Sequence, residues 1–184
     1  MILSKKQFPK TIETKRFIGS MPTLSDLSEY YSMFQNKQFI ACYGVAFSKE
    51  KINELVVSNI NHWKQNGFGM WTWRDKESHH FIGRVGLKSI TVEEKNEVEL
   101  AYALKPEYWG KSVAIEMSLM AIALAFNTLS LPSLICFTRA QNYQSLRVMQ
   151  KLDFHYEKDF IYLGFLQKLH RLANFGLNTH IDHK

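Results

Sequence analysis

The amino-acid sequence predicts an α/β (α+β) fold in which helices flank one mixed sheet. Apolar residues recur at helical spacing between Ile52 and Trp63. Residues 69–87 then form two β-rich runs around the polar turn at residues 75–78, which is typical of a hairpin. A strand–helix–strand order follows over residues 97–138. Antiparallel strands followed by one crossover indicate a mixed, mostly antiparallel sheet.

Local signals mark where several of these elements begin and end. Thr23 and Asp26 form a capping-box pattern before a helix that extends to about Phe34. Ser48 is a suitable N-cap and Gly67 a suitable C-cap for the second helix. The other predicted elements are strands at residues 14–18, 69–74, 79–87, 97–104, 134–138 and 160–169, and helices at residues 112–129 and 145–152. Residues 34–49 and 88–96 match no pattern.

Length and composition favour one packed domain. The 184 residues are 46% hydrophobic and 14% aromatic, which excludes a disordered or low-complexity chain. No internal repeat is evident. We expect a single domain over residues 1–184, with its core at about residues 14–170 and a short frayed C-terminal tail. A monomer and a homodimer are both compatible with the sequence.

Cysteines, termini and charge narrow the cellular setting and the partners. Cys42 and Cys136 are too few and too far apart for a disulfide framework or a zinc site, so we expect reduced thiols and no metal. Residues 1–10 have no apolar leader core, and Glu116 interrupts the most apolar stretch, so a cytoplasmic protein without a membrane partner is expected. The net charge of +6 favours an anionic partner, such as a phosphorylated cofactor. No basic block or nucleic-acid motif is present, and no nucleic-acid partner is expected.

The segment at residues 97–121, EVELAYALKPEYWGKSVAIEMSLMA, carries the most chemical information. A strand leads through a loop with Gly110 and Lys111 into a helix rich in small residues. A helix N-terminus offers unpaired amides and partial positive charge, and small residues let a ligand approach the main chain. The segment therefore indicates a phosphate or pyrophosphate site, although a tight turn without a ligand would have the same pattern.

The stretch from Tyr108 to Glu116, YWGKSVAIE, resembles the coenzyme A loop of the GNAT superfamily of N-acetyltransferases. It is most similar to the RimJ/RimL-like branch, which acetylates protein N-termini. Four further segments resemble that branch in order and spacing: TKRF at residues 14–17, the GFGMW and FIGRVGL pair at residues 67–87, the strand at residues 97–104, and the Asn142-x-x-Ser145 helix that ends in Asp153-Phe154. Two positions depart from the family pattern, because Ser112 and Asp153 stand where the family has glycine.

The resemblance implies acetyl-CoA as the cosubstrate and assigns residues to it. The strand from Leu100 through Tyr102 to Leu104 would hold the pantetheine arm, with Asn142 on the other side of the arm. The residues that would hold the pyrophosphate are Gly110, Lys111, Ser112, Val113 and Ala114, and Trp109 in the loop would shield the cofactor.

The resemblance also implies direct attack of a primary amine on the thioester. Ser145 or a water would protonate the leaving thiolate, because the family's tyrosine acid is replaced by Met149. Glu99 is the candidate general base, and Glu97, two residues earlier on the same face, is its rival. Deprotonation at pH 7 costs about 1.4 kcal/mol for an α-amine and about 4.6 kcal/mol for a lysine, which favours a protein N-terminal α-amine as the acceptor.

Three other functions remain open from the sequence. The first is an acetyltransferase for a small amine, such as a polyamine, an aminoglycoside or an amino acid. The second is a non-catalytic acyl-CoA-binding protein of the same fold, which the serine at position 112 would suit. The third is a basic nucleic-acid-binding domain, which is motivated by the net charge alone.

Overall fold

The computed structural model describes residues 7–174, which form one sheet with helices on both faces. The strands are β1 (Thr11–Glu13), β2 (Phe17–Ser20), β3 (Met70–Asp75), β4 (Phe81–Val92), β5 (Lys95–Leu104), β6 (Ser133–Thr138), β7 (His155–Tyr162) and β8 (Phe165–Ala173). The helices are α1 (Leu27–Phe34), α2 (Lys37–Tyr43), α3 (Lys49–Asn66), α4 (Val113–Asn127) and α5 (Tyr143–Lys151). The strand order is β1-β2-β3-β4-β5-β6-β8-β7, and all neighbours are antiparallel except β5 and β6. This confirms the predicted mixed, mostly antiparallel sheet.

The capping signals around α1 and α3 are confirmed. The Asp26 carboxylate accepts a hydrogen bond from the Thr23 amide at 2.8 Å. The Ser48 hydroxyl accepts one from the Lys51 amide at 3.2 Å at the start of α3, and Gly67 ends α3 with φ of +73°. Such local hydrogen bonds satisfy groups that a helix end leaves unpaired, and so they fix the helix boundaries.

Helix α2 lies in a stretch for which no element was predicted. Its N-cap is Asn36, whose side chain accepts hydrogen bonds from the amides of Gln38 and Phe39. Its C-cap is Gly44, with φ of +79°. The signal for this helix was therefore present as an Asn–Gly pair of caps.

Two predicted strands are wrong. Residues 14–18 were expected to form one strand, but residues 14–16 turn between β1 and β2, and the Thr14 hydroxyl accepts a hydrogen bond from the Phe17 amide at 3.1 Å. Residues 160–169 were expected to form one final strand, but they span the β7–β8 hairpin. Its turn is Leu163-Gly164, with φ of +49° and +81°. A two-residue hairpin turn needs positive φ at both positions, and leucine is an unusual residue to supply it.

The sheet separates two apolar layers, and this separation positions the site. Val85, Leu87 and Leu100 pack in the cluster that includes α4, and Trp71 and Trp73 both lie fully buried in that cluster. Ala103 packs instead in the cluster formed by α1, α2 and α3. Alternate residues of β5 therefore face α4 and the helices of the N-terminal half. None of the helices in residues 7–174 combines the length and apolar character that crossing a membrane requires.

Candidate active site

Strands β5 and β6 are neighbours in the sheet, but they separate after one point of contact. They run parallel and share a single register pair, Glu99 opposite Ile135. Both strands continue, to Leu104 and Thr138, without another pair between them in the described part of the chain. A cavity of about 970 Å³ opens along this gap. The expected splayed central strands are therefore present.

The loop before α4 forms one wall of the cavity, which we call the loop side (residues 108–114). The main chain passes through the left-handed region at Gly110, with φ of +72°, and at Ser112, with φ of +58°. Ser112 is the N-cap of α4 but makes no side-chain capping bond. A Cβ atom at Gly110 would meet no atom within 4 Å, so the space over the loop is open. The first amides of α4 are available there for an anionic ligand.

Arg16 connects the N-terminal part of the chain to this loop. Its Nε lies 2.7 Å from Oε2 of Glu116 in the first turn of α4, and its amide donates to Oε1 of Glu116 at 3.1 Å. Its guanidinium also donates to the Lys111 carbonyl at 3.3 Å. Arg16 thus holds both the loop and the helix that follows it.

Most of the residues assigned to the cofactor from the sequence line this one cavity. Leu100 and Leu104 have buried side chains, so their main-chain atoms are what they can offer to the gap. The Trp109 indole donates to the Leu104 carbonyl at 2.8 Å and so fixes the loop against the end of β5. Tyr102, Gly110, Ser112, Val113, Ala114, Asn142 and the catalytic candidates Glu99 and Ser145 line the cavity as well. Lys111 is the exception, because its side chain is exposed outside the cavity lining.

Asn142 caps α5 beside the gap. Its Oδ1 accepts a hydrogen bond from the Ser145 amide at 3.1 Å, and the Cys42 thiol donates to the same oxygen at 3.5 Å. Its Nδ2 group has no hydrogen-bond partner among residues 7–174 and is free to serve a ligand in the cavity. The capping bond fixes the orientation of the side chain.

The opposite wall, which we call the sheet side, is formed by Asn59, Arg84, Lys88 and Glu99. Lys88 lies directly across from Glu99 in the β4–β5 ladder. Burial raises the pKa of the Glu99 carboxyl to about 7, although Lys88 and Arg84 act in the opposite direction. A carboxyl with this pKa exchanges its proton readily at neutral pH.

Glu97, the rival to Glu99, is held in an ion pair. Its two carboxylate oxygens accept hydrogen bonds from Arg171 at 2.8 Å and 3.0 Å. Arg171 also pairs with Glu157 on β7 at 2.5 Å. Glu97 is therefore part of a structural network between β5, β7 and β8, whereas Glu99 has no ion-pair partner within 4.0 Å among residues 7–174.

Tyr102 and Ser145 form a pair of hydroxyl groups at the gap. The Tyr102 hydroxyl lies 2.9 Å from Oγ of Ser145 and donates to the Ser145 carbonyl at 3.1 Å. Either hydroxyl can be the donor between these two oxygens, so the Tyr102 proton can lie on the Ser145 carbonyl or on Oγ. Burial raises the pKa of Tyr102, so this phenol stays protonated. Met149, which stands where the family's tyrosine acid would be, is buried in the core.

Cys136 lies next to this pair on β6. Burial raises the pKa of its thiol, with a further contribution in the same direction from Glu99. A protonated, buried thiol is a packing residue rather than a nucleophile.

Sequence reasoning missed three polar residues of the sheet side, namely Asn59, Arg84 and Lys88. Arg84 and Lys88 lie on a strand that was predicted only as far as residue 87, and Asn59 lies on the helix α3. No local motif marks them, because they meet only when α3 packs over β4. Arg84 and Lys88 lie on the same face of the sheet as Glu99, and the β4–β5 register alone could have identified them.

The family model for the acetyltransferase (GNAT) domain matches residues 16–155 of the chain. The chain belongs to this family. It is thereby an acyltransferase of the GNAT fold, as the sequence resemblance implied.

Individual proteins also resemble the chain, at low sequence identity. The chain is 23% identical over 149 residues to the uncharacterized N-acetyltransferase YoaA of Bacillus subtilis, covering 79% of this chain and 83% of YoaA. The crystal structure of a ribosomal-protein-S5-alanine acetyltransferase from Vibrio fischeri has a TM-score of 0.73 and 20% identity, covering 90% of this chain and 97% of that one. RimL, a ribosomal L7/L12 α-N-protein acetyltransferase in complex with coenzyme A, has a TM-score of 0.69 and 14% identity, covering 89% and 97%. At these identities the two structures establish a shared fold.

Proposed function

We propose that this GNAT-family chain is an acetyl-CoA-dependent N-acetyltransferase that acetylates a primary amine, namely the α-amine of a protein N-terminus. The observation that supports this most is one cavity that joins three features. These are the gap between β5 and β6, the open N-terminus of α4, and a carboxyl with a pKa of about 7. Two ribosomal-protein acetyltransferases share this fold, which favours the same acceptor class.

The residues around the gap fit the cofactor. The open space over Gly110 and the free amides of α4 suit a pyrophosphate. Arg147 and Lys151, one helical turn apart on α5, line the cavity without an ion-pair partner in residues 7–174, and Lys111 adds charge at the loop. The unpaired edge of β5 from Leu100 to Leu104 offers main-chain groups to the pantetheine arm. When bound, acetyl-CoA supplies an acetyl group activated as a thioester.

In this proposal Glu99 removes the proton from the acceptor amine. About half of a carboxyl with a pKa near 7 is ionised at neutral pH, so it accepts a proton without a large penalty. The α-amine is also the acceptor that costs least to deprotonate, about 1.4 kcal/mol at pH 7. Main-chain amides near Leu100 or Ala101 are candidates to stabilise charge on the acetyl oxygen.

Ser145 and Tyr102 together supply the proton for the departing thiolate. Ser145 or a water is the expected acid, and the Ser145 hydroxyl is hydrogen-bonded to the phenol of Tyr102, which burial keeps protonated in the resting state. With Tyr102 as the donor to Ser145 Oγ, the Ser145 proton moves to sulfur as the carbon–sulfur bond breaks, the Tyr102 proton moves to Oγ, and the phenolate regains a proton from water once coenzyme A leaves. Tyr102 takes the place of the tyrosine that is missing at position 149.

The proposal extends to the setting of the reaction. We place the enzyme in the cytoplasm, because Cys42 and Cys136 are free thiols. We treat residues 1–184 as one acetyltransferase domain, with no metal requirement and with a monomer or a homodimer as the active form.

The test combines binding and turnover. Acetyl-CoA at a hundredfold excess over its Kd should stabilise the protein by about 2.7 kcal/mol, which is measured as a rise in melting temperature. Thiol release with a panel of N-terminal peptides should then exceed release with lysine side-chain amines. No shift at millimolar acetyl-CoA would reject the proposed function. A shift without thiol release for any amine would favour the non-catalytic acyl-CoA-binding alternative, and faster release with a polyamine or an aminoglycoside would favour the small-molecule alternative.

A further inference from the structure

Two nitrogen donors on the sheet side are buried without hydrogen-bond partners. Nδ2 of Asn59, whose side chain is only 6% exposed, has no partner in residues 7–174, and neither has Nε of Arg84. Both residues line the cavity. A buried donor without a partner destabilises the fold, so such groups usually serve a ligand or a water molecule.

The Arg84 guanidinium makes no ion pair in the described part of the chain. It lies over the Phe34 ring at 5.7 Å, a contact that supports its flat face but leaves the Nε–H group without a partner. Asp26 and Glu29 make no ion pair with it, because both are bonded to Arg74.

Lys88 adds a second cation on the same face. It is half-buried and has no ion-pair partner within 4.0 Å among residues 7–174. Glu99, across the ladder, is the sole carboxylate among the four residues of the sheet side, and it is only partly ionised at neutral pH. The remaining acidic residue of the cavity, Glu54, is paired with Lys51 at 2.9 Å. The sheet side therefore has more positive than negative charge.

This charge is unexpected next to a site for amines. A polyamine would bring further positive charge to Arg84 and Lys88, and the repulsion would weaken its binding. An acceptor that carries a carboxylate would instead bring a counter-charge to the face that Arg84 and Lys88 share. Arginine and lysine donors bind carboxylates with charge-assisted hydrogen bonds.

We propose that the acceptor carries a carboxylate close to its reactive amine, and that Asn59, Arg84 and Lys88 bind this carboxylate. The inference rests on the proposed acetyltransferase function and names the substrate class. The carboxylate has two possible sources: the α-carboxylate of a free amino acid and an acidic side chain next to a peptide N-terminus. Lys88 lies opposite Glu99 in the ladder, so its ammonium group can hold a carboxylate on the same face as the amine that Glu99 deprotonates.

The test measures binding of acetylated products, so it does not depend on turnover. One pair of probes is N-acetylglycine and N-acetylglycinamide, which differ in the α-carboxylate. The other is the amidated peptides N-acetyl-Ser-Glu-Ala and N-acetyl-Ser-Gln-Ala, which differ in one side-chain carboxylate. Calorimetric titration in the presence of coenzyme A gives the Kd of each probe.

We expect at least one pair to show about tenfold or more tighter binding of the carboxylate probe. Lys88→Gln and Arg84→Gln should each reduce that preference to about twofold or less. Lys64→Gln is the matched control, because Lys64 is exposed on the far end of α3 and does not line the cavity. Arg84 contacts the Phe34 ring, so Arg84→Gln could fail to fold, and in that case Lys88→Gln alone still tests the site.

The outcomes separate this inference from the proposed function. Equal binding within both pairs would overturn the carboxylate site, and so would a preference that Lys88→Gln leaves intact. A higher kcat/KM for spermidine than for every carboxylate-bearing acceptor would overturn it as well. Failure of thiol release with every amine would reject the proposed enzyme. If the wild type still preferred the carboxylate probe and Lys88→Gln abolished that preference, the carboxylate site would nevertheless be supported. The pair that shows the preference identifies the source of the carboxylate.

Discussion

The loop side of the cavity offers mainly main-chain groups, whereas the sheet side consists of side chains. On the loop side, Gly110 leaves space and the first turn of α4 exposes amides. On the sheet side, Asn59, Arg84, Lys88 and Glu99 come from three separate elements. Main-chain sites require a local conformation and so leave a contiguous sequence pattern. Side-chain sites can be rebuilt with different residues while the fold stays the same.

The strongest test of this difference is removal of the carboxyl on the sheet side. Glu99→Gln should lower kcat by about 10²–10⁴-fold, the usual contribution of a general base, while acetyl-CoA binding on the loop side stays unchanged. For the wild type, kcat should rise with pH and level off above about 7 as Glu99 loses its proton. The measurements are steady-state kinetics and a thermal shift with acetyl-CoA.

Glu97→Gln is the matched control for this variant. It removes a carboxylate of the same strand that is bonded to Arg171, so it should affect stability more than rate. Equal rates for wild type and Glu99→Gln would remove Glu99 from the mechanism.

The same carboxyl also links stability to pH. The folded state holds the Glu99 proton up to a pH of about 7, whereas a glutamate in the unfolded chain loses it near 4.3. The folded state therefore binds more protons in this window, and wild-type stability falls as pH rises from about 4.3 to 7. Glu99→Gln should gain up to about 3 kcal/mol relative to wild type between pH 4 and pH 8, as measured by urea unfolding. A constant difference across that range would contradict the raised pKa.

Tyr102 and Ser145 lie where the two sides meet, and a variant of Tyr102 tests whether their hydroxyl groups act as one unit. Tyr102→Phe should lower kcat by about 10–100-fold, because Ser145 then loses the group that replaces its proton. KM for acetyl-CoA should change by less than about twofold. Tyr156→Phe is the control, since Tyr156 is exposed and lies outside the cavity. A Tyr102→Phe enzyme with wild-type kcat would leave Ser145 to act with water.

The smallest expected effect concerns conformation on the loop side. Ser112 has φ of +58°, which is unfavourable for a residue with a side chain, so Ser112→Gly should stabilise the protein by up to about 1 kcal/mol. It should also tighten acetyl-CoA binding a few-fold by removing a Cβ from the loop. Gly110→Ala should instead destabilise the protein, because Gly110 has φ of +72°. The added Cβ would meet no atom within 4 Å, so the backbone conformation alone causes this effect. Chemical unfolding measures both, and the same sign for the two variants would contradict this account.

Sequence reasoning was more successful for the loop side than for the sheet side, because the loop side depends on local conformation and the sheet side on packing between distant segments. The sequence predicts the loop before α4, the strand that precedes it, the helix that follows it and the α1 and α3 caps, because each depends on neighbours in the chain. The β7–β8 hairpin was missed because Leu163-Gly164 forms a tight turn in an otherwise strand-like run. The β4–β5 turn was missed because Glu93 and Glu94 adopt positive φ without a glycine. Asn59 and Arg84 converge only through the packing of α3 on the sheet, which a single sequence does not encode locally.

The single register pair between Glu99 and Ile135 has a mechanical consequence. The first five strands form one continuous ladder, and residues 133–173 form another, so this junction is the weakest line across the sheet. A ligand that contacts both β5 and β6 would connect the two ladders across this junction. We therefore expect amide hydrogen exchange in β6 and β8 to slow far more on cofactor binding than exchange in β2 and β3.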